Sequence, residues 1–508
     1  MSSTNGLVCF TNCLLPLEDG SLVEKDLWFD ENRGIILDAQ KTFYLRRERP
    51  DKVIDLGGNI LSPGFLDIQI NGGYGFDFSV YGNDDEAYRQ GLKMVAERIV
   101  ETGVTSLLPT IITQEKSVYP KLLSLLKPFS TPTSATLLGW HAEGPFIDLT
   151  KRGAHAPAYL LPATDGFKSF EEIYGAGNLV EGEDWVMTDN GNPAVRLITA
   201  APEVPGVMSA LEEVVKRGIA FSIGHSVAST DIATEAVQRG ARLITHLFNA
   251  MPQLHHRDPS IIGLLGASPH LASPTAITAQ LPCTFTAEPV PLLELPEAHG
   301  NNASKGPVLE HASEAFEHAN VLTRKPTLIA TKPPRSQTKP QTRPTLHLDK
   351  GYVADMTFER PYYGIIVDGI HCHPNSVRLA YSCHPDGCIL ITDAMKILDP
   401  NLKDGVHEWR DGKRFVKEGE RLYLEGTTTL AGSVVTLDKC VRNFSRFTGC
   451  SLGEAIKCAT YNPAKCLGIE DKKGTLRPGA HADFVILDRQ GIVLSTWVRG
   501  KEVWSKAA

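Results

Sequence analysis

IAFSIGHSVASTDIATEAVQRGARLITHLFNA, residues 219–250, holds two short apolar runs separated by one helical pattern. In the middle piece Ser229 or Thr230 is a fitting N-cap, Ile232, Ala236 and Val237 recur at helical spacing, and Gly240 supplies the stop. The two flanking runs, IAFSIG (219–224) and RLITHL (242–247), are apolar on both faces, as buried parallel strands are. The unit is therefore strand, helix, strand. A helix crossing between two strands of one sheet sets them parallel, so His225 and His246 emerge side by side at neighbouring carboxyl ends.

Six further runs of the same kind extend this unit in both directions: GFLDIQI (64–70), VTSLLPT (104–110), TLLGWHA (136–142), VRLITAA (195–201), YGIIVD (363–368) and CILITD (388–393). Eight strands alternating with helical patterns predict an α/β fold, a (β/α)8 TIM-like barrel. Polar residues follow several strands: Glu143 after the third, Asp368 and His371 after the seventh, Asp393 at the end of the eighth. Each alone is as well explained as a satisfied structural residue. Their convergence on the carboxyl rim, where barrel enzymes build their sites, points to chemistry.

Residues 1–62 and 465–508 break from this rhythm. LVCFTNCLL, DLWFD, GIILDA and KVIDLGGNILSPGF near the start, and HADFVILDRQGIVLSTWVRGKEVW at the end, alternate like exposed-faced strands between Gly and Pro turns. They predict one small β-sandwich built from both termini, flanking a barrel over 63–464. Residues 271–350 carry Pro, Ser, Thr and Ala with little periodicity, which predicts a flexible insertion whose His299, His311, His318 and His347 are solvated bystanders.

Composition sets the outer bounds. The net charge of −8 gives no electrostatic basis for a nucleic-acid partner. No apolar run approaches the ~20 residues needed to span a bilayer, so no membrane role is expected. The N-terminus lacks a signal-peptide pattern, and the ten cysteines contain no C-x-x-C pair. A cytoplasmic location is the expectation.

In order, PGFLDIQING (63–72), HAEGPF (141–146), GHS (224–226), THLFNAM (245–251) with HHRDP (255–259), GIIVDGIH (364–371), LITDA (390–394), LAGS (430–433) and NPAKCLGI (462–469) leading to GTLRPGAHADFVILD (474–488) span nearly the whole chain outside 271–350. The series resembles the N-acetylglucosamine-6-phosphate deacetylases of the amidohydrolase superfamily. That resemblance implies hydrolysis of the N-acetyl group of N-acetylglucosamine 6-phosphate, in amino-sugar catabolism.

The resemblance also assigns roles. Glu143, His225 and His246 correspond to ligands of one divalent ion per subunit, zinc first, with iron, cobalt or another divalent ion also compatible with such a set. Asp393 matches the catalytic aspartate; a strand-end Asp also commonly caps the next segment. His155 matches a histidine beside the amide carbonyl, although its spacing alone fits an ordinary loop residue. Arg257 matches an arginine that reaches phosphate in a neighbouring subunit, implying a homodimer, and His371 is a second phosphate-side candidate. Ala154, Asn249, Ala250, Asp368, Gly369, Ile370, Leu430, Ala431 and Gly432 match positions lining the sugar. His255 and His256, which make 245–259 look so rich, receive no role.

One position departs from the superfamily. Where many amidohydrolases carry an H-x-H pair for a second metal, the first strand here ends Gln69-Ile70-Asn71. Amides are weak metal ligands, so one tightly held ion is expected. Three rivals remain at this stage: the same reaction on N-acetylgalactosamine 6-phosphate, hydrolysis of a cyclic amide, and a catalytically inactive scaffold. The missing H-x-H pair argues against the cyclic amide, and the retained acidic and imidazole groups against the inactive scaffold.

Overall fold

The computed structural model describes residues 5–125, 128–179, 195–269, 358–408, 414–427, 430 and 432–507. The insertion expected over 271–350, with its four histidines, lies outside these, as does Ala431.

Eight parallel strands form the barrel: β1 (Phe65–Ile70), β2 (Val104–Ile112), β3 (Trp140–Glu143), β4 (Val195–Ala200), β5 (Ala220–Ile223), β6 (Leu243–Ile244), β7 (Tyr362–Ile366) and β8 (Cys388–Ile391). β1 through β5 are buried at every position, as strands covered by helices outside and packed side chains inside must be. The backbone N–H of Asp393 donates to Gln69 O at 2.8 Å, and Thr392 Oγ1 donates to Asp67 Oδ2 at 2.6 Å, drawing the end of β8 against β1. Burial pushes the Asp67 carboxyl up to about 7, against the hydrogen bonds that lower it.

The opening stretch folds as its pattern predicts. Ser229 caps helix Thr230–Gln238 by accepting from the Ile232 N–H, and β5 pairs parallel with β6 at Ser222–Leu243 and Ile223–Ile244. The third strand differs from expectation. It breaks into Thr136–Leu137 and Trp140–Glu143, both paired to β2, with Gly139 at φ 126° between them. The break leaves one residue over between the two pairings and turns the second piece so that it ends on Glu143 rather than on Ala142.

Both ends of the chain contribute to the flanking sheets. The N-terminal strands Ile35–Leu37, Leu27–Asp30, Leu7–Thr11 and Lys52–Asp55 make one sheet. A second sheet joins the termini at one seam: Phe484–Leu487 pairs antiparallel with Ile60–Pro63, and Val493–Val498 lies on its other side. Phe10, Phe29, Phe484 and Trp497 fill the space between the sheets, with Phe10 5.0 Å from Phe29 and 5.1 Å from Trp497. The Phe10–Trp497 pair is edge-on, and aromatic pairs of that kind add ~0.5–1.5 kcal/mol beyond the area they bury.

A three-stranded antiparallel sheet after β8, Gly405–Glu408, Arg414–Glu418 and Arg421–Leu424, was not anticipated. Phe415 and Leu422 bury against Met395 and Ile397, which anchors the sheet beside the end of β8.

Candidate active site

Three side chains converge where β3, β5 and β6 end. Glu143 Oε1 lies 2.9 Å from His225 Nε2 and 3.2 Å from His246 Nε2, and the two Nε2 atoms are 3.0 Å apart. All three residues are buried. A tetrahedral ion with bonds of ~2.0–2.1 Å sets its ligands roughly 3.3 Å apart, so the separations suit one shared cation. The tautomer suits it too. His225 Nδ1 lies 2.8 Å from the Lys151 carbonyl, which can only accept, so the proton sits on Nδ1 and the Nε2 lone pair faces inward. Burial works to raise the Glu143 carboxyl, but hydrogen bonds and charge from His225 and His246 outweigh it and hold Glu143 ionised, well below the usual carboxylate range. Among the described residues this is the one His, Cys, Asp and Glu group able to hold a metal.

Backbone strain accompanies the convergence. His225, His246 and Asp393 adopt φ of 50°, 28° and 47°, conformations costing ~1–3 kcal/mol each in a non-glycine residue. Each lies just beyond a strand end, where the reversal swings the side chain over the barrel mouth. Local contacts hold the turns. Glu203, after β4, accepts from Ser226 Oγ at 2.7 Å and the Val227 N–H at 2.6 Å, and Ser226 N donates to Ala250 O. Glu203 was not singled out in the sequence. Its only signal there is its place just beyond the fourth strand, in APEVP.

Asp393, half-buried, faces the same group. Its Oδ1 accepts from Asn71 Nδ2 at 2.7 Å, which leaves Oδ2 for other work. Burial first, then the Glu143 charge, raises its carboxyl to about 6, against the lowering influence of His246, Asn71 and His371. Gln69 Nε2 donates to Glu143 Oε1 at 3.3 Å. The two amides standing where the H-x-H pair would be thus use their N–H groups to hold a ligand and the aspartate.

His155 packs edge-on to His225, with ring centroids 4.5 Å apart. Its Nδ1 accepts from the Thr113 backbone N–H at 3.2 Å, and Thr113 Oγ1 lies 2.7 Å away. The ring proton therefore sits on Nε2. Thr113, just past β2, is a second residue that sequence reasoning missed.

The remaining predicted residues divide. Asp368 Oδ1 accepts from the Ile370 and His371 N–H groups while Oδ2 lies 2.6 Å from His371 Nδ1, so this turn is rigid and aims His371 Nε2 outward. Gly369 sits at φ 76°, where a Cβ would press on Phe447. Asn249 turns its amide N–H groups to the His246 and Leu247 carbonyls, and Ala250, at φ 52°, carries the carbonyl that receives Ser226. Gly432 packs on Met395, its missing side chain leaving room 3.8 Å from the Asp393 carbonyl. Ala154 and Leu430 are exposed. Arg257 is exposed as well, on a loop tied down where Asp258 accepts from Thr230 and from the Ser260 N–H; the structure does not bring it to the three ligands.

Residues 341–503 match the Amidohydrolase family. The N-acetylglucosamine-6-phosphate deacetylase of Bos taurus is 37% identical over 500 residues, covering 98% of this chain and 96% of that protein. The Caenorhabditis elegans protein of the same name is 35% identical over 505 residues, covering 99% and 95%. Among solved structures, the deacetylases of that name from Pasteurella multocida and Thermotoga maritima superpose with TM-scores of 0.65 and 0.63 at 22% and 23% identity, each over 98% of this chain and all of the other, which speaks for the fold. With an amidohydrolase barrel, a convergent carboxylate and two imidazoles, and this identity over nearly its full length, the chain belongs to the N-acetylglucosamine-6-phosphate deacetylase family.

Proposed function

We propose that this protein hydrolyses the acetamide of N-acetyl-D-glucosamine 6-phosphate, giving acetate and D-glucosamine 6-phosphate, in amino-sugar catabolism. The observation that carries the reading is Asp393, half-engaged by Asn71 and half-buried beside the Glu143–His225–His246 cluster.

A divalent cation held by Glu143, His225 and His246, zinc first among the candidates and iron or cobalt after it, supplies Lewis acidity and a water of pKa about 7. Asp393 Oδ2 takes the proton of the attacking water and returns it to the amide nitrogen as the C–N bond breaks. With a carboxyl raised to about 6 it is ionised at neutral pH yet readily protonated, as both halves of that task require. The Nε2–H of His155 donates to the carbonyl oxygen as negative charge gathers there. The engagement of Gln69 and Asn71 with Glu143 and Asp393 supports one cation per subunit.

Arg257 and His371 receive the phosphate, the guanidinium through paired charge-assisted bonds. Ala154, Asn249, Ala250, Asp368, Gly369, Ile370 and the Leu430–Ala431–Gly432 turn line the sugar. The exposure of Arg257 in a single chain supports its serving the neighbouring site of a homodimer. No described helix is long and apolar enough to cross a membrane. The described cysteines are all free thiols, mostly buried, which supports a reducing, cytoplasmic setting.

An acetate-release assay tests the whole reading. Turnover of N-acetylglucosamine 6-phosphate should be abolished by a chelator and restored by added divalent ion, with unphosphorylated N-acetylglucosamine a far poorer substrate. Equal use of the two sugars refutes the phosphate assignment, and chelator-insensitive release refutes the cation.

A further inference from the structure

Beneath the ligand cluster the barrel interior is polar where branched aliphatic side chains usually fill it. His141 Nε2 lies 2.7 Å from Thr199 Oγ1 and its Nδ1 3.3 Å from Thr110 Oγ1. Thr199 Oγ1 in turn lies 2.7 Å from Thr245 Oγ1, and Thr245 Oγ1 2.5 Å from Ser222 Oγ. The Ile70 N–H donates to Thr110 Oγ1 at 3.0 Å. The chain of bonds touches β1 through β6, and its Thr199–Thr245 link joins β4 to β6, which are not neighbours in the sheet. All five side chains are fully or almost fully buried. Hydroxyl protons rotate to suit, so each hydroxyl in the chain can donate to one neighbour while accepting from another.

Two features tie this layer to the ligands above it. Thr199 grips β3 on both sides of Glu143, with its Oγ1 on His141 and its carbonyl accepting the Gly144 N–H at 3.0 Å. Thr245 immediately precedes His246 at the point where the backbone turns to φ 28°. The two threonines also close over Gly224, the residue before His225: a Cβ there would stand 2.7 Å from Thr199 Cγ2 and 2.7 Å from Thr245 Cβ. The approach that lets the threonines meet therefore leaves no room for a side chain next to the His225 turn.

We propose that His141, with the Thr199–Thr245–Ser222 hydroxyl chain, is a set of positioning residues that holds Glu143, His225 and His246 at cation-binding separation. The layer touches no substrate and acts through the ends of β3, β5 and β6. This inference rests on the cation site described above, and a direct binding measurement separates the two.

Metal-free protein is titrated with Zn2+ against a competing chelator. Wild type should bind one ion per chain; no binding by wild type sinks the cation site itself. His141→Leu should bind about 10–100-fold more weakly, the usual cost of losing an outer-shell partner, and His141→Gln, which can still reach Thr199, should recover to within about threefold. Thr199→Val removes only a hydroxyl at near-constant volume and should weaken binding in the same direction, which covers the case of a poorly folding His141→Leu. Phe10→Ala in the distant sandwich is the control for general destabilisation and should leave affinity unchanged. Affinities of His141→Leu and Thr199→Val within threefold of wild type, or an equal loss in Phe10→Ala, would overturn the proposal.

Discussion

The sandwich and the barrel mouth solve opposite problems within one chain. In the sandwich, Phe10, Phe29, Phe484 and Trp497 meet at 5.0–6.2 Å within an apolar cluster between the two sheets. At the mouth, two histidines and an aspartate sit at positive φ, four ionisable side chains crowd together, and the supporting layer is hydroxyl and imidazole. The first region contributes stability through area and shape. The second spends it on geometry, since each strained turn and each buried charge is tolerated only because neighbours over-determine it. The difference teaches where substitutions should act: on folding in the sandwich, on chemistry at the mouth.

The sharpest separation should come from Asp393→Asn. The variant keeps size and the contact with Asn71 but cannot take a proton, and general acid–base groups contribute about 10²–10⁴-fold. Turnover should fall by about that factor while the melting temperature does not fall, because the neutral amide is spared the cost of a buried charge, and the bound-ion stoichiometry stays at the wild-type value. Near-normal turnover would remove Asp393 from the chemistry. The reverse case is Phe10→Ala, expected to destabilise by ~3–5 kcal/mol in chemical denaturation while kcat and KM of the folded enzyme at low temperature are unchanged. A change in kcat would show that the two regions are coupled and the division too simple. Arg257→Ala should act on neither axis: a lost charge-assisted bond of ~1.5–3 kcal/mol raises KM for the phosphorylated sugar about 10–100-fold, with kcat and stability held.

The same division governs what the sequence made legible. The barrel strands announce themselves through apolar runs in local sequence, as in AFSI and CILI, and so does the capped helix after Ser229. Glu143, His225, His246 and Asp393 were legible because each follows such a run. The groups that position them were not, because their partners are distant along the chain: Asn71 meets Asp393 across 322 residues, Thr113 meets His155 across 42, and Glu203 meets Ser226 across 23. The broken third strand escaped notice because Leu138–Gly139 reads as part of one apolar run, and only the pairing to β2 exposes the extra residue. The three-stranded sheet after β8 carries a hairpin pattern, RFVKEGERLYL, whose short strands bury only Phe415 and Leu422 and so give a weak apolar signal.

Acidification offers the finest test, because both regions respond to it and in separable ways. As a base Asp393 must be ionised, and burial together with the Glu143 charge raises its carboxyl to about 6. A cation on the three ligands adds positive charge and can only lower that value. The acid limb of kcat/KM should therefore lie at or below about pH 6, falling tenfold per unit beneath it, and an activity loss centred above pH 6.5 would refute the assignment. Stability changes over an overlapping window for another reason. Burial holds His384, under the barrel, down to about 4 and His481, beside the sandwich, down to about 3, against 6.5 in the unfolded chain. Each of these two histidines binds its proton more readily in the unfolded state, so the stability they contribute is full above pH 6.5 and declines as pH falls toward 4, while Asp67 and Asp393, held up to about 7 and about 6, bind protons first in the folded state and oppose part of that decline. Melting temperatures measured alongside the rates distinguish the two: Asp393→Asn should abolish the kinetic limb while stability still declines with acid, more steeply than in wild type because one opposing group is gone.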